Sequence, residues 1–381
     1  MLNKFKITLL ALILSSASLL SQTFGGGSGT LLDPYLISNK AHWDEFAMLV
    51  NSGNILFLDK AFKLTSNIGD RANPVTGMVG TDNRAECFAG SIDGDNYTIT
   101  VNISSSNIYV GLLTQLYGGF ITNLKVAGQI QATNPNSYVG GIVGNVYEHH
   151  GIFNCHNFAE IKGNAYATGG IVGWTKGAVH FCTNNGDIQI TNDCYIGGIV
   201  GRMNAPDLSD CDNFAKIKGS ANSYVGGIIG YAEFIYNMVV HSCNNFANLE
   251  LDFANLSTSS IGGVIGVAGA PDRHFLIFNS TNYGTIQGNN NVGGIVGIGS
   301  ALIEGCINNG IIEGIDNVGG IAGTFYNDSV NYCYNNATIV GNDCVGGIVG
   351  STNNLGATIY SCFNNGTLIG NSNVSGMIGC P

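Results

Sequence analysis

One pentapeptide recurs along most of the chain. Gly140-Gly-Ile-Val-Gly144 returns at Gly169–Gly173, Gly197–Gly201, Gly226–Gly230, Gly262–Gly266, Gly293–Gly297, Gly319–Gly323 and Gly346–Gly350. A degenerate copy stands at Ser375–Gly379, and a half-matching one at Tyr109–Leu113. Successive first positions are separated by 29, 28, 29, 36, 31, 26, 27 and 29 residues. A period of this size marks a repeat architecture, because a unit so short cannot bury its own apolar side chains.

A second signature, Cys-x-Asn-x-Gly/Ala, follows each pentapeptide at Cys155, Cys182, Cys211, Cys243, Cys306, Cys333 and Cys362, with Ser280 in place of Cys in the remaining unit. Two residues beyond its Gly or Ala comes an aliphatic residue, as at Ile161, Ile188 and Leu249. Each unit therefore reads as three short β segments divided by Gly and Asn turns, residues that enter left-handed conformations cheaply. Stacking such units at about 4.8 Å lets each strand pair with the next coil around a shared interior. The expected fold is all-β: a parallel β-solenoid of about nine coils of ~29 residues, with an amino-terminal capping head that contains one short helix.

The recurring Cys155, Cys182, Cys211, Cys243, Ser280, Cys306, Cys333 and Cys362 then form a structural ladder of small interior side chains in which Ser is nearly isosteric. Stacked in register, these side chains point in parallel, a poor arrangement for disulfides. The better candidates for oxidation are Cys87, Cys194, Cys344 and Cys380, outside the ladder. No Cys-x-x-Cys pair occurs, and no metal site or cofactor is expected.

Lys4 and Lys6 precede the weakly polar run from Ile7 to Leu20, with Ser21 and Gln22 following, an order that predicts a signal peptide over residues 1–21 and a secreted or cell-surface location. Residues 22–108 lack the repeat and read as the capping leader. Asn39 is placed to cap a helix with Trp43, Phe46, Ala47 and Val50 on one stripe. Ser91 to Ile99 reads as strand, Asp-Gly turn, strand. Residues 109–381 are the repeat array, and the last Gly-x-x-Gly segment leads directly into Cys380-Pro381, so the C-terminal coil is expected either to fray or to meet a partner, by self-association or by binding another molecule. No transmembrane segment is expected in the mature chain. The chain has 14 Lys+Arg against 25 Asp+Glu and a net charge of -11, so it offers no basic footprint for nucleic acid.

With both signatures in view, residues 109–381 resemble the GLUG-repeat family of secreted bacterial proteins. The head is similar to the leaders of such proteins in Asp33-Pro-Tyr-Leu-Ile37 and in Phe88-Ala-Gly-Ser-Ile-Asp-Gly94. The resemblance implies a solenoid and a surface or extracellular, adhesin-like role. GLUG repeats also accompany an immunoglobulin-A-cleaving metalloprotease, whose His-Glu-x-x-His signature does not occur in this sequence. The resemblance therefore carries over no catalytic residue.

Insertions in a solenoid map to loops on one face. The longest intervals carry Tyr147, Glu148, His149 and His150, then Tyr231, Phe234 and Tyr236, then Arg273, His274 and Phe275. Trp174 and Tyr326 are expected at equivalent positions in shorter units. Aligned, Tyr147, Trp174, Tyr231, Phe234, Tyr236, Arg273, His274 and Tyr326 would form an aromatic ridge for binding an extracellular glycan or a host or matrix protein. A carbohydrate-active enzyme would instead need paired carboxylates on adjacent coils, and Glu160 with Asp187 is the best such pair. A purely structural envelope component, assembled through the last coil, is the third reading. The leading expectation is a non-enzymatic, adhesin-type or scaffold repeat protein.

Overall fold

A computed structural model describes residues 24–53, 59–147, 150–233, 238–252, 259–269, 275–352 and 357–381. The segment read as a signal peptide lies outside them. Among the described residues no helix is long and apolar enough to cross a membrane.

The chain winds into a parallel β-solenoid of about eleven turns, two more than the pentapeptide count predicts. The extra turns come from the head. Tyr35–Ile37, Ala61–Leu64 and Ser91–Asp93 pair in parallel and extend one sheet to twelve strands. The segment read as strand, turn, strand is not a hairpin. Ser91–Asp93 and Thr98–Ser105 join different sheets and each pairs with the following coil, Asp95 and Asn96 turning the corner at φ 47° and 65°.

Each coil has four faces rather than three segments. In one unit Tyr138–Gly140 forms face 1, Val143–Val146 face 2, Gly151–Phe153 face 3 and His156–Gly163 face 4. The pentapeptide is thus not a strand but the bend between faces 1 and 2. Its first glycines stack in register from Gly140 to Gly346. Its second glycines are required by close approach. A Cβ on Gly227 would lie 2.6 Å from Asn245 Cγ, and Gly263, Gly294 and Gly347 meet Asn282, Asn308 and Asn364 at the same distance. Left-handed residues stand immediately before the ladder position, as at Asn154, Asp210 and Asn279, and in the later coils two positions before the pentapeptide, at Asn291, Asn317, Cys344 and Asn373. Several of the expected asparagine turns are thus left-handed, while none of the pentapeptide glycines is.

Two ladders run through the interior. Ladder cysteines are buried free thiols. Cys182 N–H donates to Cys211 Sγ at 3.4 Å, and Cys243 N–H donates to Ser280 Oγ at 3.2 Å. The column therefore supplies an acceptor to the backbone of the preceding coil as well as small apolar bulk, which is why Ser280 serves. Beside it stands an asparagine ladder that the sequence reading took for turns. Asn157 Nδ2 donates to Asn184 Oδ1 at 2.8 Å, and the series continues through Asn213, Asn245, Asn282, Asn308 and Asn335 to Asn364. Each interior amide is satisfied along the axis, as burial demands.

The helix α1 (Lys40–Asn51) caps the head. Asn39 Oδ1 accepts from His42 N–H at 3.0 Å, and Trp43, Phe46 and Val50 are buried while Ala47 is half-buried. Phe46 packs on Phe62 and Phe88 with ring centroids 4.4 and 5.2 Å apart. At the other end the core columns run out on the coil of residues 357–381, where Ile369, Val374 and Met377 are exposed. Cys344 and Cys380 form a disulfide between face 1 of one coil and face 2 of the next. Cys87 and Cys194 are free, and burial pushes both thiols up to about 12.

Candidate functional site

Tyrosine recurs two positions before the first glycine of several pentapeptides, at Tyr109, Tyr138, Tyr195 and Tyr224. Parallel pairing puts Tyr109 beside Tyr138 and Tyr195 beside Tyr224 on face 1, with Tyr166 between the two pairs. On face 2 the same register aligns Asn145, Trp174, Arg202 and Tyr231. Faces 1 and 2 touch through the last pentapeptide glycine: a Cβ on Gly173 would lie 2.5 Å from Val139 N and 2.6 Å from Tyr138 C. Bare backbone at that position lets the outer side chains of the two faces converge in one corner.

The rings meet there. Tyr138 lies 5.5 Å from Trp174, and Tyr195 lies 4.8 Å from Tyr231, centroid to centroid. Arg202 threads the cluster, its guanidinium carbon 5.7 Å from the rings of Tyr166 and Trp174 and 6.0 Å from that of Tyr231. Its Nη1 donates to Tyr138 Oη at 3.2 Å. Glu233 closes the network, accepting from Trp174 Nε1 and from Asn204 Nδ2, each at 3.0 Å. Arg202 Nε is 2.6 Å from Glu233 Oε1 but off the hydrogen-bond line, so this contact is an ion pair rather than an aligned bond.

Burial opposes the Arg202 cation, yet the Glu233 carboxylate and the neighbouring phenols outweigh it and hold the group above its ordinary value. Burial raises the phenols of Tyr138 and Tyr231, and with Tyr166 beside it Tyr195 is pushed up to about 12. At neutral pH the corner is therefore a set of neutral half-buried rings around one internal ion pair. Such a surface suits contact with apolar or ring-shaped groups and offers little to acid-base chemistry.

The predicted ridge does not form as a single row. Trp174 and Tyr231 come together in the corner. Tyr147 stands just past the face 2 strand, in a separate cluster where its hydroxyl donates to Gln115 Oε1 at 3.1 Å and its ring meets Tyr117 at 4.7 Å, with Arg84 over both. Tyr326 also lies past its strand, several coils away, its N–H bonded to Gly299 O. Trp174 and Tyr326 are thus not at equivalent positions: Trp174, like Arg202 and Tyr231, is the fifth residue after its first pentapeptide glycine and lies in the strand, whereas Tyr326, like Tyr147, is the seventh and lies past it. Phe234, Tyr236, Arg273 and His274, with Glu148 and His149, lie outside the described residues. Arg202, Glu233 and the tyrosines of face 1 were missed, although the Tyr-apolar-Gly spacing was available to find them.

Glu160 and Asp187 both lie on face 4. Glu160 Oε1 pairs with Lys162 Nζ at 2.6 Å, and Asp187 Oδ1 accepts Lys216 N–H at 3.0 Å. Among the described residues the one cluster with metal-ligand types is Asp343, Cys344 and Cys380, whose sulfurs are joined in the disulfide.

The class of molecule so defined is a parallel β-solenoid with an aromatic corner on its outer surface. No sequence-family model matches the chain. A segment of 132 residues, 33% of the chain, is 34% identical to a protein of Evansella cellulosilytica named "Putative Gly-rich membrane protein" and spans 15% of that relative. Among solved structures the chain is similar to "a putative immunoglobulin A1 protease" from Bacteroides ovatus, with a TM-score of 0.50 and 19% identity over 76% of this chain and 78% of that one. That likeness is one of fold.

Proposed function

We propose that the protein is an exported, non-enzymatic binding module of the GLUG-repeat type, displayed at the cell surface or secreted, which holds a glycan or a partner protein in the corner between faces 1 and 2. The observation that carries the reading is the convergence of Trp174, Tyr231, Tyr138 and Tyr195 around the Arg202–Glu233 pair. Half-buried rings with fixed orientation lose little conformational freedom on binding, the property that makes Tyr, Trp and Arg frequent anchors. The Lys4–Leu20 segment and the likeness to a relative named as a membrane protein support a location at or beyond the membrane.

The test is retention of the labelled chain on an array of glycans and extracellular-matrix proteins beside a Trp174→Ala, Tyr231→Ala variant. Specific retention that falls about tenfold or more in the variant is expected, the scale set by losing two aromatic anchors. Retention unchanged in the variant would remove the corner from the reading. Release of new chain ends from an arrayed polysaccharide would replace the binding module with an enzyme.

A further inference from the structure

Face 4 carries a second feature with no part in the corner. Its outward side chains stack in columns, and one column runs from Gln129 through Glu160, Asp187, Lys216 and Asn248 to Thr285. Alongside it, two residues further on, stand Gln189, Lys218, Glu250 and Gln287. Between the columns lies a trough of about 350 Å³ lined from Glu160 to Gln287. A second hollow of about 480 Å³, with Arg71, Asn102 and Gln129 on its walls, continues the same line toward the head. At about 4.8 Å per coil, the six residues of the first column cover roughly 24 Å.

The chemistry of the trough excludes most occupants. Its floor residues Ile188, Ile217 and Leu249 are turned inward, each only 1% exposed, and the exposed apolar groups alongside are the stacked rings of Phe214, Phe246 and Tyr283, a flat row that suits sugar faces better than a helix or a lipid chain. The floor's backbone is spent in the sheet: Ile188, Ile217 and Leu249 N–H donate to Lys216, Asn248 and Thr285 carbonyls, so an added strand finds no edge. Carboxylates of Glu160, Asp187 and Glu250 alternate with Lys216 and Lys218, so a polyphosphate meets as much repulsion as attraction. What remains is a line of amide, carboxylate and ammonium groups that both donate and accept.

Several of these groups are also fixed in place. Asp187 Oδ1 accepts Lys216 N–H at 3.0 Å, and Asn248 Oδ1 accepts Thr285 N–H at 3.1 Å. Each clamp uses one polar atom and leaves a second, the other Asp187 oxygen and the Asn248 amide nitrogen, on a side chain already ordered. Lys218 is tied to Glu250 and Asp252 at 3.4 and 3.1 Å, whereas Lys216 has no ion pair among the described residues.

We infer that this trough binds an extended neutral polysaccharide, its hydroxyls read one coil at a time by the Glu160–Thr285 column. The inference does not depend on the corner, which lies on other faces. Electrophoresis of the whole chain through native gels containing galactomannan, xylan or dextran sulfate tests it. The expected result is retardation by galactomannan or xylan that persists in about 0.5 M salt, where exposed charge pairs are screened. An Asp187→Ala, Asn248→Ala variant should weaken it by about tenfold or more, near the loss of two hydrogen bonds to ordered groups. Lys216→Glu, which disturbs no clamp, should weaken it as well, while Trp174→Ala leaves it intact. Absence of retardation in both neutral gels overturns the inference, as does retardation confined to dextran sulfate. Retardation abolished by Trp174→Ala and untouched by the face 4 variants overturns it too, and assigns the glycan to the corner.

Discussion

The head and the repeat array solve the problem of an interior in opposite ways. Around α1 the core is a set of unlike large rings, Trp43, Phe46, Phe62 and Phe88, in tilted and edge-on contacts that occur once. In the array the core is a lattice of columns, in which Val143 meets Val172, Ile161 meets Ile188, Cys182 meets Cys211 and Asn184 meets Asn213 one coil away. A unique packing concentrates stability in a few side chains. A stacked one spreads it over near-identical interfaces, so a defect is felt chiefly by its neighbours. The difference shows that repetition alone does not close a solenoid end: its first coil needs a non-repeating cover.

The sharpest way to break that contrast is Phe46→Ala. The ring is fully buried between Phe62 and Phe88, and its loss is expected to cost about 3–5 kcal/mol, read as a shift in the urea midpoint. Hydrogen exchange should rise first in the head. Uniform loosening of all coils would show that the head is not a separate packing unit.

Asn245→Leu is the corresponding defect in the lattice. It takes from the Asn213 amide one of its two acceptors and leaves the Asn282 amide oxygen and the Ala247 carbonyl without the Asn245 donor, and is expected to cost about 2–4 kcal/mol, with exchange rising in the two flanking coils. Asn336→Leu, on the exposed asparagine row of the same signature, serves as the control and should change stability by less than about 0.5 kcal/mol. Equal effects would remove the interior amide ladder from the account.

The contrast also extends to alkaline pH. Burial raises the thiols of Cys87 and Cys194 and the phenol of Tyr195 to about 12, so these groups stay protonated in the folded chain after the unfolded chain has begun to ionise. The unfolded state then holds fewer protons, and stability is full below about pH 9 and falls as pH rises from there toward 12. A thermal melt series from pH 7 to 11 should show a flat region and then a decline. Native Cys87 and Cys194 should resist alkylation at pH 8, because little thiolate is present.

Much of the fold was legible in the sequence. The pentapeptide period set the coil, the Cys column was placed inside, and Asn39 with the Trp43 stripe marked the helix and its buried face. Cys344 and Cys380 were among the four cysteines outside the ladder marked for oxidation, but Cys87 and Cys194 met the same criterion and are free, so the pairing itself was not legible. Less of the site was legible. Trp174 and Tyr326 were grouped as loop residues, although they stand five and seven residues after their first glycines, and on a strand that two-residue offset carries Tyr326 out of the face 2 column.

What the sequence determined by itself is the periodic part: coil length, the identity of the columns and the need for a covered start. A short-period constraint is written into every unit and can be read from any one of them. Three things were decided only in the tertiary structure. The second glycine of the pentapeptide had to be glycine because the next coil's glycine carbonyl and the ladder Asn, as with Gly263 and Asn245 about Gly227, fill the space a Cβ would take. Trp174, Arg202 and Tyr231 met the face 1 tyrosines because the last glycine lets two sheets touch. Glu160 and Asp187 joined one polar trough because parallel pairing carries a single position through many coils. Each is a contact between residues 14 to 64 apart in the chain, and no local pattern encodes such a distance.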